Sequence, residues 1–275
     1  MSGGALSGRV VIVTGGSRGL GREMALELAG QGAAVCVTGA GASPALEATA
    51  AECAALGARV LALPCDVADY AACEALVARV EAELGPLDAL VNNAGIGMRA
   101  ISETFNTKPA KFWEADPEAW GRIVQANLTG AFNMARAAVP GMVARGAGKV
   151  INVSTSDQTM VRRGYSPYGP SKAGLEAASR VWAQDLEGTG ATVNVYLPGG
   201  AADTDLLPPS ANKKGADGNL LPAAVMRRAI VWLCGPGSDG VTGRRFIARL
   251  WDESLPDAEA AEAAASPHVD KPAIM

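Results

Sequence analysis

A tyrosine and a lysine four residues apart form the clearest chemical pair in this sequence. On a helix, Tyr168 and Lys172 would present their side chains on one face. A tyrosine ordinarily has a pKa of about 10, and an ammonium group held close to the phenol would lower that pKa toward the range of a general acid–base. The pair could then give a proton to a carbonyl oxygen or remove one from an alcohol. Such pairs also occur on protein surfaces, so the interpretation depends on the surrounding elements.

The helix that carries this pair has a predicted start just before the tyrosine. Ser166 and Pro167 are typical of an N-cap followed by proline at the first helical position. We therefore predict that Tyr168 lies in the first turn, where Pro170 is still tolerated.

A glycine-rich segment follows the first predicted strand. Residues 14–21 read Thr-Gly-Gly-Ser-Arg-Gly-Leu-Gly. A tight turn needs residues without a Cβ, and the backbone must approach a diphosphate closely. The helix beginning near Gly19 would point its free N–H groups and the positive end of its dipole at the phosphates. Isolated glycines can be mere turn residues, but these lie between a strand and an amphipathic helix, which favours a dinucleotide site.

Short apolar strands alternate with amphipathic helices through most of the chain. The predicted strands are residues 10–14, 35–38, 60–64, 87–91, 149–154, 192–197 and 245–248. The predicted helices are residues 20–29, 44–56, 70–84, 117–144, a helix containing residue 168, and 222–233. This alternation predicts an α/β fold, a single Rossmann-like doubly wound parallel sheet with helices on both faces.

The expected organisation is one catalytic domain over residues 1–253, with two irregular segments inside it. Residues 98–117 form a long connection with three aromatic side chains, which could line an apolar pocket or an interface. Residues 199–221 are rich in Pro, Gly, Asn, Lys and Asp, and we predict a substrate lid there. The tail, residues 254–275, could be frayed helix or disordered.

Composition excludes several classes of protein. The 275 residues are 49% hydrophobic, enough for a large core, and a net charge of −4 gives no footprint for nucleic acid or an anionic membrane. No apolar run reaches transmembrane length and residues 1–10 do not resemble a signal peptide, so we expect a cytoplasmic protein. The five cysteines show no Cys-x-x-Cys spacing and are expected to be buried thiols. The single histidine, His268, argues against a histidine triad, and no metal site is predicted.

Taken together, these motifs resemble the short-chain dehydrogenase/reductase family. The family pattern Thr-Gly-x-x-x-Gly-x-Gly matches residues 14–21, and Tyr-x-x-x-Lys matches Tyr168 and Lys172. The likeness runs from about residue 10 to residue 248 and includes an Asn-Asn-Ala-Gly turn at residues 92–95. It implies an NAD(P)-dependent oxidoreductase acting on a small carbonyl or alcohol substrate, with the tyrosine as general acid–base. It also implies a homo-oligomer, a tetramer or a dimer.

The resemblance assigns roles residue by residue. The family's stabilising hydroxyl stands thirteen residues before the tyrosine, and here that position is Thr155 instead of serine, with Ser154 as the alternative. Asn127 matches the asparagine that holds a water between the lysine and solvent; a helix polar group bonded to backbone is the other interpretation. The implied cofactor-binding residues are Gly15, Ser17, Arg18, Gly19, Leu20, Gly21, Asp66, Val67, Asn93, Ala94, Gly95, Tyr168, Lys172, Pro198 and Gly199. Thr204 follows the Pro-Gly turn one place later than is usual, which leaves its contact with the carboxamide open.

The end of the second strand carries no carboxylate. An acid at that position would accept from the adenosine ribose hydroxyl and repel a 2′-phosphate, whereas residues 37–41 read Val-Thr-Gly-Ala-Gly. Arg18 could pair with that phosphate or remain a solvated cation, while the family's other basic residue is replaced by Ala40. We predict NADP(H) in preference to NAD(H).

Two rival functions are weighed against this one. A catalytically idle nucleotide-binding sensor or scaffold would not need Tyr168 and Lys172. A lyase or dehalogenase on the same fold should have a degraded glycine loop, whereas this loop is whole.

Arg162 and Arg163 could attract an acidic substrate or be solvated loop cations.

Overall fold

One parallel sheet organises the molecule. The computed structural model describes residues 4–209, 213 and 218–267, and in that part of the chain seven strands lie in the order β3-β2-β1-β4-β5-β6-β7. The strands are β1 (Val10–Thr14), β2 (Ala34–Gly39), β3 (Val60–Pro64), β4 (Ala89–Asn92), β5 (Gly148–Val153), β6 (Ala191–Leu197) and β7 (Arg245–Ile247). The strand order reverses between β1 and β4, which is where a ligand crevice opens in such sheets. The predicted Rossmann-like fold is confirmed.

Helices cover both faces of the sheet. They are α1 (Gly19–Gly30), α2 (Pro44–Ala55), α3 (Tyr70–Leu84), α4 (Pro117–Val124), α5 (Gly130–Arg145), α6 (Asp157–Met160), α7 (Tyr168–Asp185), α8 (Ile230–Cys234) and α9 (Asp257–Ala264). Because neighbouring residues of a strand point to opposite faces, β1 contributes Val11 and Val13 to one hydrophobic core and Val10 and Ile12 to the other. The first core packs against α1, α8 and α9, and the second against α3 and α5. None of the described helices is both long and apolar enough to cross a membrane.

Tyr168 lies in the first turn of α7 as predicted, but the predicted N-cap and first helical position are wrong. Pro167 is the N-cap residue, and Ser166 makes no capping hydrogen bond. The backbone carbonyl of Tyr165 instead accepts from the N–H of Gly169 at 2.7 Å. The Ser166 Oγ accepts from the indole N–H of Trp120 at 3.3 Å.

Three further segments differ from the sequence-based expectation. The helix predicted over residues 117–144 is interrupted by a π-helical turn at Gln125–Thr129. The helix predicted over 222–233 is a 3₁₀ segment, Ala223–Arg227, followed by α8. Beyond residue 253, α9 buries three alanines in the core, and an antiparallel bridge joins Phe246 to Ala265. His268 lies outside the described residues.

Candidate active site

A cleft of about 1400 Å³ opens at the carboxyl edge of the strands. All but two of the predicted site residues line it. The lining includes Gly15, Ser17, Arg18, Gly19, Leu20, Asp66, Val67, Asn93, Ala94, Gly95, Ser154, Thr155, Tyr168, Lys172, Pro198 and Gly199. Gly21 and Asn127 are not among the lining residues. The cleft exceeds the usual pocket for one drug-sized ligand, about 300–1000 Å³, as a dinucleotide together with a substrate requires.

The glycine loop has the backbone geometry that its sequence demands. Gly15 and Gly19 adopt φ values of +62° and +55°, a region that L-residues with side chains rarely enter. A Cβ on Gly21 would lie 2.2 Å from the Gly15 carbonyl oxygen, so this glycine permits close packing beneath the loop instead of lining the cleft. The loop is therefore a cradle that side chains would fill, which fits the phosphates of a dinucleotide.

Hydrogen bonds join the turn after β1 to the turn after β4. The Asn93 side-chain amide donates to the carbonyls of Thr14 at 2.9 Å and Gly15 at 3.0 Å. In return, the Thr14 hydroxyl oxygen accepts from the backbone N–H groups of Asn93 and Ala94, both at 3.0 Å. The Asn-Asn-Ala-Gly turn thus fixes the glycine loop at the point where the strand order reverses.

No acidic side chain occupies the end of β2. Gly39 and Ala40 line the cleft there, and Asp66 at the end of the next strand accepts the backbone N–H of Ala68 at 3.0 Å. Arg18 is largely exposed and lies 3.5 Å from the carboxylate of Asp205. An ion pair so exposed to solvent holds the guanidinium weakly.

The tyrosine and lysine both reach the cleft. The Tyr168 side chain is half-buried, and its phenol interacts with the Thr155 side chain. Lys172 is buried and donates from Nζ to the Val153 carbonyl oxygen at 2.8 Å. Burial lowers the pKa of Lys172 to about 8, against a smaller opposing effect of the Glu176 carboxylate.

The expected lowering of the tyrosine pKa is wrong for the protein alone. Burial raises the pKa of Tyr168 to about 12, and the hydrogen bond from Thr155 offsets only part of that effect. Desolvation disfavours the phenolate. The Lys172 ammonium group meanwhile donates to a backbone carbonyl, that of Val153.

The two candidate hydroxyls differ in their partners. Thr155 contacts the Tyr168 side chain, whereas Ser154 Oγ is buried and has no hydrogen-bond partner among the described residues. A buried hydroxyl without a partner is uncommon in native proteins. The position predicted from the family pattern is therefore the one beside the phenol.

Asn127 lies in the π-helical turn and uses its side chain to brace the loop after β4. Its Oδ1 accepts from the Ile96 N–H at 2.7 Å, and its Nδ2 donates to the Ile96 carbonyl at 3.1 Å. The same amide nitrogen donates to Ser171 Oγ on α7 at 3.0 Å. This residue connects the Asn-Asn-Ala-Gly turn to the helix that carries Tyr168. Single-turn π-helices are frequent at functional sites.

The segment after β6 contacts the glycine loop. A Cβ on Gly19 would lie 3.2 Å from Thr204 Cγ2, so the two stretches are in contact.

Arg162 packs over the Tyr165 ring with its guanidinium carbon 5.2 Å from the ring centroid, and both side chains line the cleft. Arg163 is exposed and is not a lining residue.

Sequence reasoning missed Arg245. This residue begins β7, and its guanidinium donates to the backbone carbonyl of Thr155 at 3.0 Å. The available signal was a charged residue at the start of an otherwise apolar strand that ends at the cleft.

Comparison with known proteins places the chain among dehydrogenases and reductases. The family profile described as short chain dehydrogenase matches residues 9–215. An acetoacetyl-CoA reductase of Shinella zoogloeoides is 37% identical over 191 residues, which cover 70% of this chain and 73% of the relative. The 3-oxoacyl-[acyl-carrier-protein] reductase FabG of Staphylococcus aureus is 35% identical over 188 residues, 68% of this chain and 72% of the relative. A crystal structure of a dehydrogenase/reductase from Sinorhizobium meliloti 1021 superposes with a TM-score of 0.75 at 31% identity, covering 88% of this chain and 93% of that one.

Proposed function

The chain belongs to the short-chain dehydrogenase/reductase family, and from that premise we propose that it is an NADP(H)-dependent enzyme that interconverts a carbonyl and an alcohol on a small organic substrate. The observation that carries this proposal is that Tyr168, Thr155 and Lys172 line the same cleft as the glycine loop. The positive-φ glycines support a dinucleotide along one side of that cleft, and the phenol supports proton transfer on the other.

Each polar group then has a distinct task. The cofactor, when bound, supplies a hydride to the carbonyl carbon. Thr155 and Tyr168 hold the carbonyl oxygen by hydrogen bonds, and Tyr168 gives that oxygen its proton, which completes the alcohol. The Lys172 ammonium, held by the Val153 carbonyl, stabilises the phenolate that remains. Asn127 braces the loop that carries Ile96, and we propose that it also holds the water through which the lysine reaches solvent.

An NADPH-oxidation screen tests the proposal. The panel contains ketones, quinones, keto acids and 3-oxoacyl thioesters, the last because the similar proteins are named as reductases of such compounds. Turnover with at least one carbonyl compound, abolished in Tyr168→Phe, is the expected result. NADPH binding without turnover on any member would instead favour the idle nucleotide-binding protein.

The preference for NADP(H) rests on what lies at the adenosine end. Gly39 and Ala40 leave no carboxylate to repel a 2′-phosphate, and Arg18 lines the cleft with only a weak ion pair to Asp205. We expect kcat/KM to be higher with NADPH than with NADH, and Arg18→Gln to reduce the ratio by about tenfold or more, as for a hydrogen bond to a charged group. An NADH preference in the native protein would contradict the assignment.

Assembly and location complete the proposal. Phe132 on α5 and Val181 on α7 are large, exposed apolar side chains, 48% and 54% accessible, which supports a homo-oligomer formed through these helices, a tetramer or a dimer. All five cysteines are free and buried, which fits the reducing cytoplasm. We propose residues 1–253 as the catalytic domain, with α9 packed against its core. We propose residues 199–221 as its substrate lid; residues 210–212 and 214–217 of that range lie outside the described part of the chain.

A further inference from the structure

One arginine joins four separate segments beside the candidate catalytic groups. The Arg245 side chain is only 19% exposed. Its Nη2 donates to the Thr155 carbonyl at 3.0 Å and to Asp157 Oδ1 at 2.6 Å. Its Nε lies 3.1 Å from both carboxylate oxygens of Glu176, and its Nη1 donates to Ser266 Oγ at 3.0 Å. The four partners lie after β5, on α6, on α7 and after α9.

A guanidinium is suited to this position because of its shape. It is planar, permanently charged and carries five N–H donors in a rigid fork, so it fixes the relative directions of its partners. A lysine would offer one flexible ammonium group in its place. The Thr155 carbonyl is therefore held by a group whose orientation is set independently by Glu176 and Ser266.

We propose that Arg245 is a positioning residue for the reaction, holding the backbone of Thr155 so that its hydroxyl meets the Tyr168 phenol, and that the segment after α9 is part of this support. The inference rests on the proposed function. Thr155 lies in the connection between β5 and α6, which has no strand partner of its own at this point. Since a displacement of about 1 Å at a reacting group can cost about 10²-fold in rate, a fixed backbone is of direct use here.

The C-terminal segment contributes more than one contact to this arrangement. The Ser266 backbone N–H donates to the Arg245 carbonyl at 2.8 Å, next to the bridge between Ala265 and Phe246. Helix α9 buries Ala260, Ala261 and Ala264 against the core. These contacts hold the segment in place, and its Ser266 hydroxyl accepts a hydrogen bond from Nη1 of the guanidinium.

The same arginine also balances a charge close to the lysine. Glu176 lies one turn beyond Lys172 on α7 and raises its pKa, while Arg245 from β7 neutralises Glu176. Other titratable groups near this corner include Tyr168 on α7, Tyr165 before it and Asp157 on α6. Without the arginine, the Glu176 carboxylate would act on the ammonium unopposed, so the pKa of Lys172 would rise.

Arg245→Met tests the proposal, with Arg244→Met as the matched control. Arg244 is the adjacent residue and ties the same strand to α9 through Glu262, at 2.9 and 3.1 Å, but it contacts no candidate catalytic residue. We expect Arg245→Met to lower kcat by about 10²-fold, to leave the Kd for NADPH unchanged, and to move the alkaline limb of the pH–rate profile upward. Arg244→Met should leave all three unchanged, and Arg245→Lys should recover part of the lost kcat.

A second variant covers the case in which Arg245→Met does not fold. Asp157 is 82% exposed, so Asp157→Ala removes one partner of Nη2 with little effect on the fold. We expect kcat to fall while thermal stability and NADPH affinity stay at the native values. Native kcat in both Arg245→Met and Asp157→Ala, or equal losses in Arg245→Met and Arg244→Met, would overturn the inference. A native enzyme without turnover on any carbonyl would instead refute the proposed function, and the inference with it.

Discussion

The two sides of the cleft depend on different parts of the polypeptide, the backbone on one side and side chains on the other. On the side proposed to bind the nucleotide, the backbone conformation sets the shape, since Gly15 and Gly19 have positive φ and the Asn93 amide donates to the backbone carbonyls of Thr14 and Gly15. On the side proposed to be catalytic, side chains set it, since Tyr168 interacts with Thr155 and four residues bind the Arg245 guanidinium. Adding a side-chain atom should therefore impair the side that contains the glycine loop. Removing a side-chain atom should impair the side that contains Tyr168.

The largest effect is expected from Tyr168→Phe. Loss of a general acid typically costs about 10²–10⁴-fold in rate, so kcat should fall by that factor. The Kd for NADPH, measured by fluorescence titration, should change far less than kcat, because the substitution removes one hydroxyl and leaves the glycine loop as it is. Tyr165→Phe is the matched control, since Tyr165 also lines the cleft, where its ring packs against Phe105 and Arg162. A Tyr168→Phe variant that retained native kcat would contradict the division of the cleft into a backbone side and a side-chain side.

Next in size is the choice between the two hydroxyls. Thr155→Val deletes a hydrogen bond to the reacting oxygen, worth about 1.5–3 kcal/mol when charge is involved, which corresponds to a ~10- to ~100-fold loss of kcat. Ser154→Ala should change kcat little and leave the fold intact, because Ser154 Oγ has no partner among the described residues. Steady-state rates of the two variants decide the matter. A greater loss in Ser154→Ala would transfer the role to Ser154.

On the nucleotide side, the corresponding change is Gly21→Ala. The added Cβ would lie 2.2 Å from the Gly15 oxygen and 2.5 Å from Asn93 Nδ2, so the loop must shift. We expect the free energy of unfolding to fall by about 1–3 kcal/mol, the usual cost of overpacking, and NADPH binding to weaken. Gly41→Ala is the control, since a Cβ there meets nothing within 4 Å. Thermal melts with and without NADPH should distinguish Gly21→Ala from Gly41→Ala. Equal melting temperatures for the two variants would contradict the packing argument.

The smallest effect is a change of rate with pH. Burial lowers the pKa of Lys172 to about 8 and raises that of Tyr168 to about 12, so only the lysine loses its proton in the mildly alkaline range. The ammonium is present below pH 8, and kcat/KM for reduction should fall as the pH rises above it, by at most about tenfold per unit. Lys172→Met should show a low rate without this limb. A flat native profile through this range would contradict the assignment.

Local patterns in the sequence predicted most of the fold. β3 and α3 have the predicted bounds, because apolar runs and the Gly85-Pro86 stop are local signals. The glycine loop and the Tyr168–Lys172 pair are also defined by short spacings. Both can therefore be identified from the sequence alone, and the family and fold predictions are confirmed.

Long-range contacts account for what the sequence could not predict. Arg245 reaches partners 69 and 90 positions away in the chain, and no local spacing records such a contact. Asn127, in the π-helical turn, bonds with its side chain to the backbone of Ile96, 31 positions earlier. Ser166 has the residue type of an N-cap, but its hydroxyl accepts from the indole N–H of Trp120, 46 positions earlier. In each case tertiary contacts outweigh a local preference.

The central claim is that both sides of the cleft serve one event, the transfer of a hydride to a carbonyl carbon beside Tyr168. It is tested most directly by supplying NADPH deuterated at the transferable position of the nicotinamide and examining the product by NMR. With the native enzyme, the account predicts an alcohol that carries one deuterium on its carbinol carbon. With Tyr168→Phe and the same cofactor bound, it predicts almost none of this deuterated alcohol. Alcohol formed without deuterium, or equal transfer by the two proteins, would contradict it.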